Sequence, residues 1–209
     1  MARSSLSGLG DVMDGFTDDI ENIGSYLVKK QENFDRVARL SRDIIRNSGK
    51  MITMLHNGKI ADASLVGSQL HEEIHELKRI DAGMEYYSLQ AYQEYAEAMI
   101  FSSIKNNGTI LRVSEVGVSE DAYILGLLDV VGELKREIFE ALRVREIDLA
   151  NKFFDNMKHI YDTTRSLRFA EATLQGLRKK QDVARIQIEN AGNEILYFDA
   201  ANSPKQDNH

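Results

Sequence analysis

The chain contains no cysteine, which removes disulfides, thiolate metal ligands and cysteine nucleophiles from consideration. Its single proline, Pro204, lies in the tail and leaves the body free of the strongest helix breaker. No apolar run approaches the ~20 residues a membrane-spanning helix needs, so no membrane partner is expected. The N-terminal MARSSLSGLG has no apolar stretch of the kind that marks a secretory signal. Together these absences point to a cytoplasmic protein. Positive charge is also in short supply, with 26 Lys and Arg against 33 Asp and Glu and a net charge of −7. Nucleic-acid binding by overall charge is therefore excluded, and any such partner must meet a local basic surface. What remains, 43% hydrophobic and 28% charged over 209 residues, is enough for one domain with a real core.

The periodicity is helical nearly throughout. Residues 1–10 read as a flexible lead-in. A long helix follows from about Asp11 to Leu55, with Val37, Leu40, Ile44, Met51 and Leu55 on one face. Asn57-Gly58 breaks the pattern, and a second helix runs from about Ala61 to Ile80. A third, about Glu85 to Lys105, stops at Asn106-Asn107-Gly108. Thr109–Val118 reads as a loop. Ser119-Glu120-Asp121 supplies a cap and first-turn acids for a fourth long helix to about Arg143. A fifth spans about Glu146 to Leu167 and a sixth about Ala170 to Phe198, leaving 199–209 as a disordered polar tail. No strand pairing is convincing. The expectation is a single all-α domain of about six or seven helices in an antiparallel bundle.

Two helices carry acids in apolar company. In Gln90–Phe101, QAYQEYAEAMIF, Glu94 and Glu97 are three apart and share a face. In Tyr123–Leu134, YILGLLDVVGEL, Asp129 and Glu133 are four apart and are the only ionisable groups after Tyr123. A buried carboxylate is costly unless it is paired, protonated or bound to a cation. Four acids on two apolar helices therefore suggest a shared divalent-metal site. All-carboxylate ligands favour a hard cation, Mg²⁺ or Mn²⁺, and such an ion commonly grips a phosphate, which points to a phosphodiester or nucleotide substrate. A di-iron bundle would want Glu-x-x-His on two helices, and the chain does not supply it. Gly126 and Gly132 sit inside the second acidic helix at a cost of ~1 kcal/mol each relative to alanine, which implies close approach of a neighbouring helix or ligand.

Two further patterns carry weaker signals. Arg36, Arg39, Arg42 and Arg46, with Lys50, form a stripe along the first helix; Lys78 and Arg79 precede the acidic helix. Each is either a solvated face or a phosphate contact that positions nucleic acid without reading sequence. His71-Glu72-Glu73-Ile74-His75 formally matches H-E-x-x-H. A zincin also requires a third protein ligand, and nothing downstream resembles one, so a surface helix bearing two histidines is expected.

QEYAEAMIF, DAYILGLLDVVGELKRE and FEALRVREIDLANKFFDNMKHIYDTTRSL, followed by LRKKQDVARIQIENA, resemble the translin superfamily, and within it the translin-associated factor X branch. The likeness runs from about Tyr87 to Ala191. It implies a seven-helix, all-α fold assembled into hollow ring- or barrel-like oligomers that enclose RNA or single-stranded DNA. X-type members are Mg²⁺-dependent endoribonucleases acting on single-stranded RNA, whereas translin itself is mainly a nucleic-acid binder. The X-type site, Glu-x-x-Glu with an acid on a later helix, carries over by motif to Glu94, Glu97 and Asp129, with Glu133 as a fourth acid. The chain lacks a long basic nuclear-targeting leader and has a short Thr109–Val118 segment, so the resemblance implies a prokaryotic, archaeal-type member. Such a protein would form homo-oligomers, or hetero-oligomers where a translin-type subunit is present. Two alternatives stand beside an RNA-cleaving shell. One is a non-catalytic nucleic-acid-binding oligomer. The other is an all-α nucleotide pyrophosphohydrolase, whose second acidic pair resembles Glu-x-x-Asp where this chain has Asp-x-x-x-Glu.

Overall fold

A computed structural model describes residues 7–202. Seven helices follow one another: α1 Ser7–His56, α2 Ile60–Ile80, α3 Glu85–Asn107, α4 Val113–Val116, α5 Glu120–Arg143, α6 Ile147–Thr164 and α7 Leu177–Asn202. No strand occurs among the described residues. α3 and α5 pair at the centre. α1 and α2 cover the α3 side, and α6 and α7 cover the α5 side. The central pair is buried from both directions, which is why the acids of its two helices meet inside the bundle.

The local signals act as the sequence suggests. Gly108 follows α3 with φ 70°, a left-handed conformation that favours glycine, and its N–H closes the helix on the Ile104 carbonyl at 2.9 Å. Ser119 caps α5 by accepting from the Ala122 N–H at 3.3 Å. The buried face of α1 reads Val37, Ser41, Ile44, Ser48, Met51 and Leu55, alternating steps of four and three. Toward the N-terminus the same phase continues through Phe16, Ile20, Ile23 and Leu27, all of them exposed. Residues 15–32 are exposed without exception, so within the first half of α1 these residues run past the bundle with their apolar stripe uncovered.

Several boundaries differ from expectation, among them the end of α6 at Thr164 rather than Leu167. The lead-in expected over 1–10 is helical from Ser7, and residues 1–6 lie outside the described set. The last helix begins at Leu177 rather than Ala170. Gly176 adopts φ 86°, and the turns before it let Leu167 and Leu174 pack on the core. At its other end α7 continues through 199–202, the first part of the expected tail, and the remainder is outside the described residues. The segment expected as a loop contains the single turn α4.

Candidate functional site

The α3–α5 crossing sets the geometry. A Cβ added to Gly126 would lie 2.6 Å from the Gln93 carbonyl oxygen and 3.0 Å from both the Ala96 Cβ and the Glu97 nitrogen. Only a glycine lets α5 approach this closely, and the approach brings one turn of α5 against the Glu94–Glu97 turn of α3. Gly132, two turns on, faces the Gln187 side chain of α7 at 3.3 Å. The two helix glycines thus have different neighbours: the backbone of α3, and a flexible side chain.

All four sequence-derived acids fall within one electrostatic neighbourhood. Glu97 is the deepest, 8% exposed, and no hydrogen-bond donor among the described residues reaches its carboxyl. Burial, followed by the charges of Asp129, Glu94 and Glu133, pushes its pKa up to about 9, with Lys180 opposing. Glu94 is also held above the usual carboxylate range, first by burial and then by Asp129. Asp129 is half-covered, and its oxygens are in use. Lys180 of α7 binds both of them, with Oδ2 at 2.6 Å, and Gln93 of α3 donates to that same Oδ2 at 2.7 Å.

Glu133 belongs to the cluster and also to a second network. His56, the last residue of α1, has a side chain only 3% exposed, with Nε2 2.5 Å from Glu133 and Nδ1 2.6 Å from Glu137. Two carboxylate acceptors on the two ring nitrogens call for two N–H donors, which is the imidazolium. Burial lowers the His56 pKa, but the two carboxylates prevail and raise it. Burial likewise raises Glu137, and His56 with Lys105, whose ammonium lies 2.5 Å away, outweighs it and lowers it.

The fit to a divalent cation follows from these contacts. The donor set is all carboxylate, which suits a hard ion. Glu97, buried, unpartnered and driven toward neutrality by three other acids, is what an inserted cation would relieve. As placed, no group of three or more His, Asp or Glu side chains among the described residues is arranged to hold a metal; Lys180 and Gln93 occupy Asp129, and His56 engages Glu133.

The remaining sequence candidates stay apart from this cluster. Arg36 pairs with Glu76 at 3.6 Å and Arg46 with Asp43 at 2.9 Å. Arg39, Arg42 and Arg79 are exposed, and Lys78 donates to the Gly117 carbonyl. No hydrogen bond or ion pair between described residues links any of them to the acids. His71 and His75 lie on the exposed face of α2 with their Nε2 atoms 3.1 Å apart, and Tyr95 contacts His71 Nδ1 at 3.2 Å; no third protein ligand joins them among the described residues. Sequence reasoning missed His56, Lys105, Glu137 and Lys180. One signal was available: buried acids demand cations, and a lysine on an otherwise periodic helix face is a candidate partner.

Comparison with known proteins is consistent across sequence and structure. The sequence profile of the Translin family matches residues 32–196. An uncharacterized protein of Methanocaldococcus jannaschii is 28% identical over 187 residues, covering 87% of this chain and 83% of its own length. The translin-associated protein X homolog of Schizosaccharomyces pombe is 28% identical over 131 residues, covering 54% of this chain and 57% of its own. Among solved structures, AfC3PO in complex with duplex RNA superposes with a TM-score of 0.82 at 25% identity, covering 88% of this chain and 98% of that one. Apo-NeC3PO gives a TM-score of 0.77 at 21% identity, over 86% and 96% of the two chains, a likeness of fold.

Proposed function

The chain belongs to the translin family, and from that premise we propose that it is a divalent-metal-dependent endoribonuclease that cuts phosphodiester bonds of RNA within an oligomer of its own copies. The observation that carries this reading is Glu97, a buried carboxyl without a hydrogen-bond donor, surrounded by Glu94, Asp129 and Glu133. A fold that needed these acids only for stability would pair them or replace them with apolar groups. Glu94, Glu97 and Asp129 would hold Mg²⁺ or Mn²⁺, with Glu133 flanking them on its His56 contact. When bound, the ion polarises a phosphoryl oxygen and lowers the pKa of an attacking water.

The residues of the chain supply the rest. Gly126 holds the two acidic helices in contact, and the apolar walls of α3 and α5 keep bulk water from Glu97, which strengthens its charge interactions with the neighbouring acids. His56 holds Glu133 in one orientation from outside the cluster. Arg36, Arg39, Arg42, Arg46, Lys78 and Arg79 are the exposed cations available to the RNA backbone, and binding through them weakens steeply with salt. Assembly is supported by the uncovered stripe of α1, since a contiguous exposed apolar surface marks an interaction site.

The test is cleavage of end-labelled RNA, single-stranded and duplex, with Mg²⁺ or EDTA, by the wild type and Glu97→Ala in parallel. Mg²⁺-dependent cutting by the wild type that falls at least ~10²-fold in the variant, with RNA binding retained, is the expected result. Equal cutting by both proteins would remove the acids from the chemistry. A second reading, a shell that binds RNA without cutting it, draws on the ion pairs that already neutralise Asp129 and Glu133. It predicts tight binding and no cleavage under any divalent ion.

A further inference from the structure

The acidic cluster already contains a positive group, supplied by the last helix. Lys180 stands 51 residues from Asp129 in the chain, yet its ammonium binds both oxygens of that carboxylate. Its charge also reaches Glu94 and Glu97, where it opposes the upward shift imposed by burial and the neighbouring acids. A lysine here does more than balance charge. While it sits on Asp129, that carboxylate has no free oxygen pair to offer an incoming ion. The ammonium is not sealed in place, either. Both side chains are 24% exposed, at the edge of a cavity of about 290 Å³ lined also by Lys179, Gln187, Gly176, Leu128 and Val183. Two lysines and an amide make that cavity suited to an anion, directly beside a cluster that repels anions.

We propose that Lys180 is a catalytic residue of the RNA-cleaving site: paired with Asp129 in the structure, it would yield that carboxylate to a divalent ion and donate a hydrogen bond to a non-bridging oxygen of the scissile phosphate seated in the Lys179–Gln187 cavity. This inference rests on the metal-site reading of the acids given above. The lysine side chain suits the exchange, because its ammonium is a compact charge with three donors on a flexible four-carbon stem, whereas a guanidinium would grip the carboxylate in a fork. Displacement requires a new anionic partner, and the phosphodiester supplies one. During hydrolysis the water oxygen bonds to phosphorus and gives up a proton to solvent, the ester bond to the leaving ribose oxygen breaks, and that oxygen takes the electron pair and a proton from solvent. Lys180 keeps its protons throughout and stabilises the charge gathering on the non-bridging oxygen. Lys179 and Gln187 hold the same phosphate against the cavity wall.

The experiment compares wild type, Lys180→Gln and Glu97→Ala in two assays. Mn²⁺ binding is followed by the loss of the free-ion electron paramagnetic resonance signal, and single-turnover RNA cleavage is measured at saturating metal. Lys180→Gln is expected to bind Mn²⁺ at least as tightly as the wild type, because the competing ammonium is gone, while its cleavage rate at saturation falls on the order of 10²-fold. Unchanged cleavage, or weaker Mn²⁺ binding, overturns the assignment and makes Lys180 a structural partner of Asp129. Should Lys180→Gln fail to fold, Lys180→Arg carries the test: its forked pairing holds Asp129 harder, so Mn²⁺ binds more weakly than in the wild type, and equal affinity overturns the proposal. A failure of the underlying reading has its own mark, in that the wild type then binds Mn²⁺ no better than Glu97→Ala and leaves RNA intact.

Discussion

Glu97 makes the stability of the metal-free protein depend on pH in a direction opposite to that of most carboxylates. Its folded pKa, about 9, stands above the ordinary value of 4.5, so the folded state binds the extra proton. The stability associated with that proton is complete below the ordinary value and is lost as pH rises through the folded one. In EDTA, the unfolding free energy should therefore decline between roughly pH 5 and 9, by at most about 1.4 kcal/mol per pH unit from this group. Glu97→Gln removes its share of the slope, and urea titrations across that range read the difference. A slope unchanged in the variant would show that Glu97 does not hold the proton. His56 gives a second prediction. With Glu133 and Glu137 both on its ring, His56→Ala leaves one partly buried and one buried carboxylate without their shared cation and should cost about 3 kcal/mol by urea unfolding. Glu137 keeps Lys105, so the loss falls mainly on Glu133.

At the scale of helices, the two glycines of α5 make a matched pair of tests. Gly126→Ala drives a methyl to 2.6 Å from a backbone oxygen of α3, where neither helix can give without separating, and a destabilisation of about 1–3 kcal/mol is expected. Gly132→Ala meets only the end of Gln187 at 3.3 Å. That side chain can move, so the gain of up to ~1 kcal/mol in helix propensity makes the change neutral or stabilising. Thermal unfolding of the two variants separates a crossing point from a merely roomy position. The helices themselves were legible because apolar spacing and end signals agree: Asn106-Asn107-Gly108 and Ser119 sit at the ends of their elements. The start of α7 was not, because Gln175-Gly176 lies in a stretch whose leucines keep helical spacing while the backbone turns. The acids of the site were legible for a related reason, since charge in apolar company is conspicuous. Their partners were not. Lys180 and His56 look like any surface lysine and helix-end histidine until the fold brings α7 and the end of α1 to α5, and no local pattern encodes that meeting.

For the whole molecule, the telling periodicity lies in α1. Its stripe has one phase from Phe16 to Leu55, and nothing in the residue spacing marks the point where the bundle ends and the uncovered half begins. If copies assemble through that half, Ile20→Glu with Ile23→Glu should shift the particle to a smaller mass in light scattering while leaving the helical circular dichroism of the bundle in place. An unchanged mass would assign assembly to another face. The length of this helix has a mechanical consequence. Fifty residues at about 1.5 Å each make a rod of about 75 Å, of which residues 15–32, about 27 Å, stand beyond the bundle. Such a rod is a lever: by the same dimensions, a tilt of about 10° at its root carries the far end of that stretch about 5 Å sideways. Small differences in how Phe34 and Val37 seat at the fulcrum would thus be magnified into large differences in where a neighbouring molecule is held.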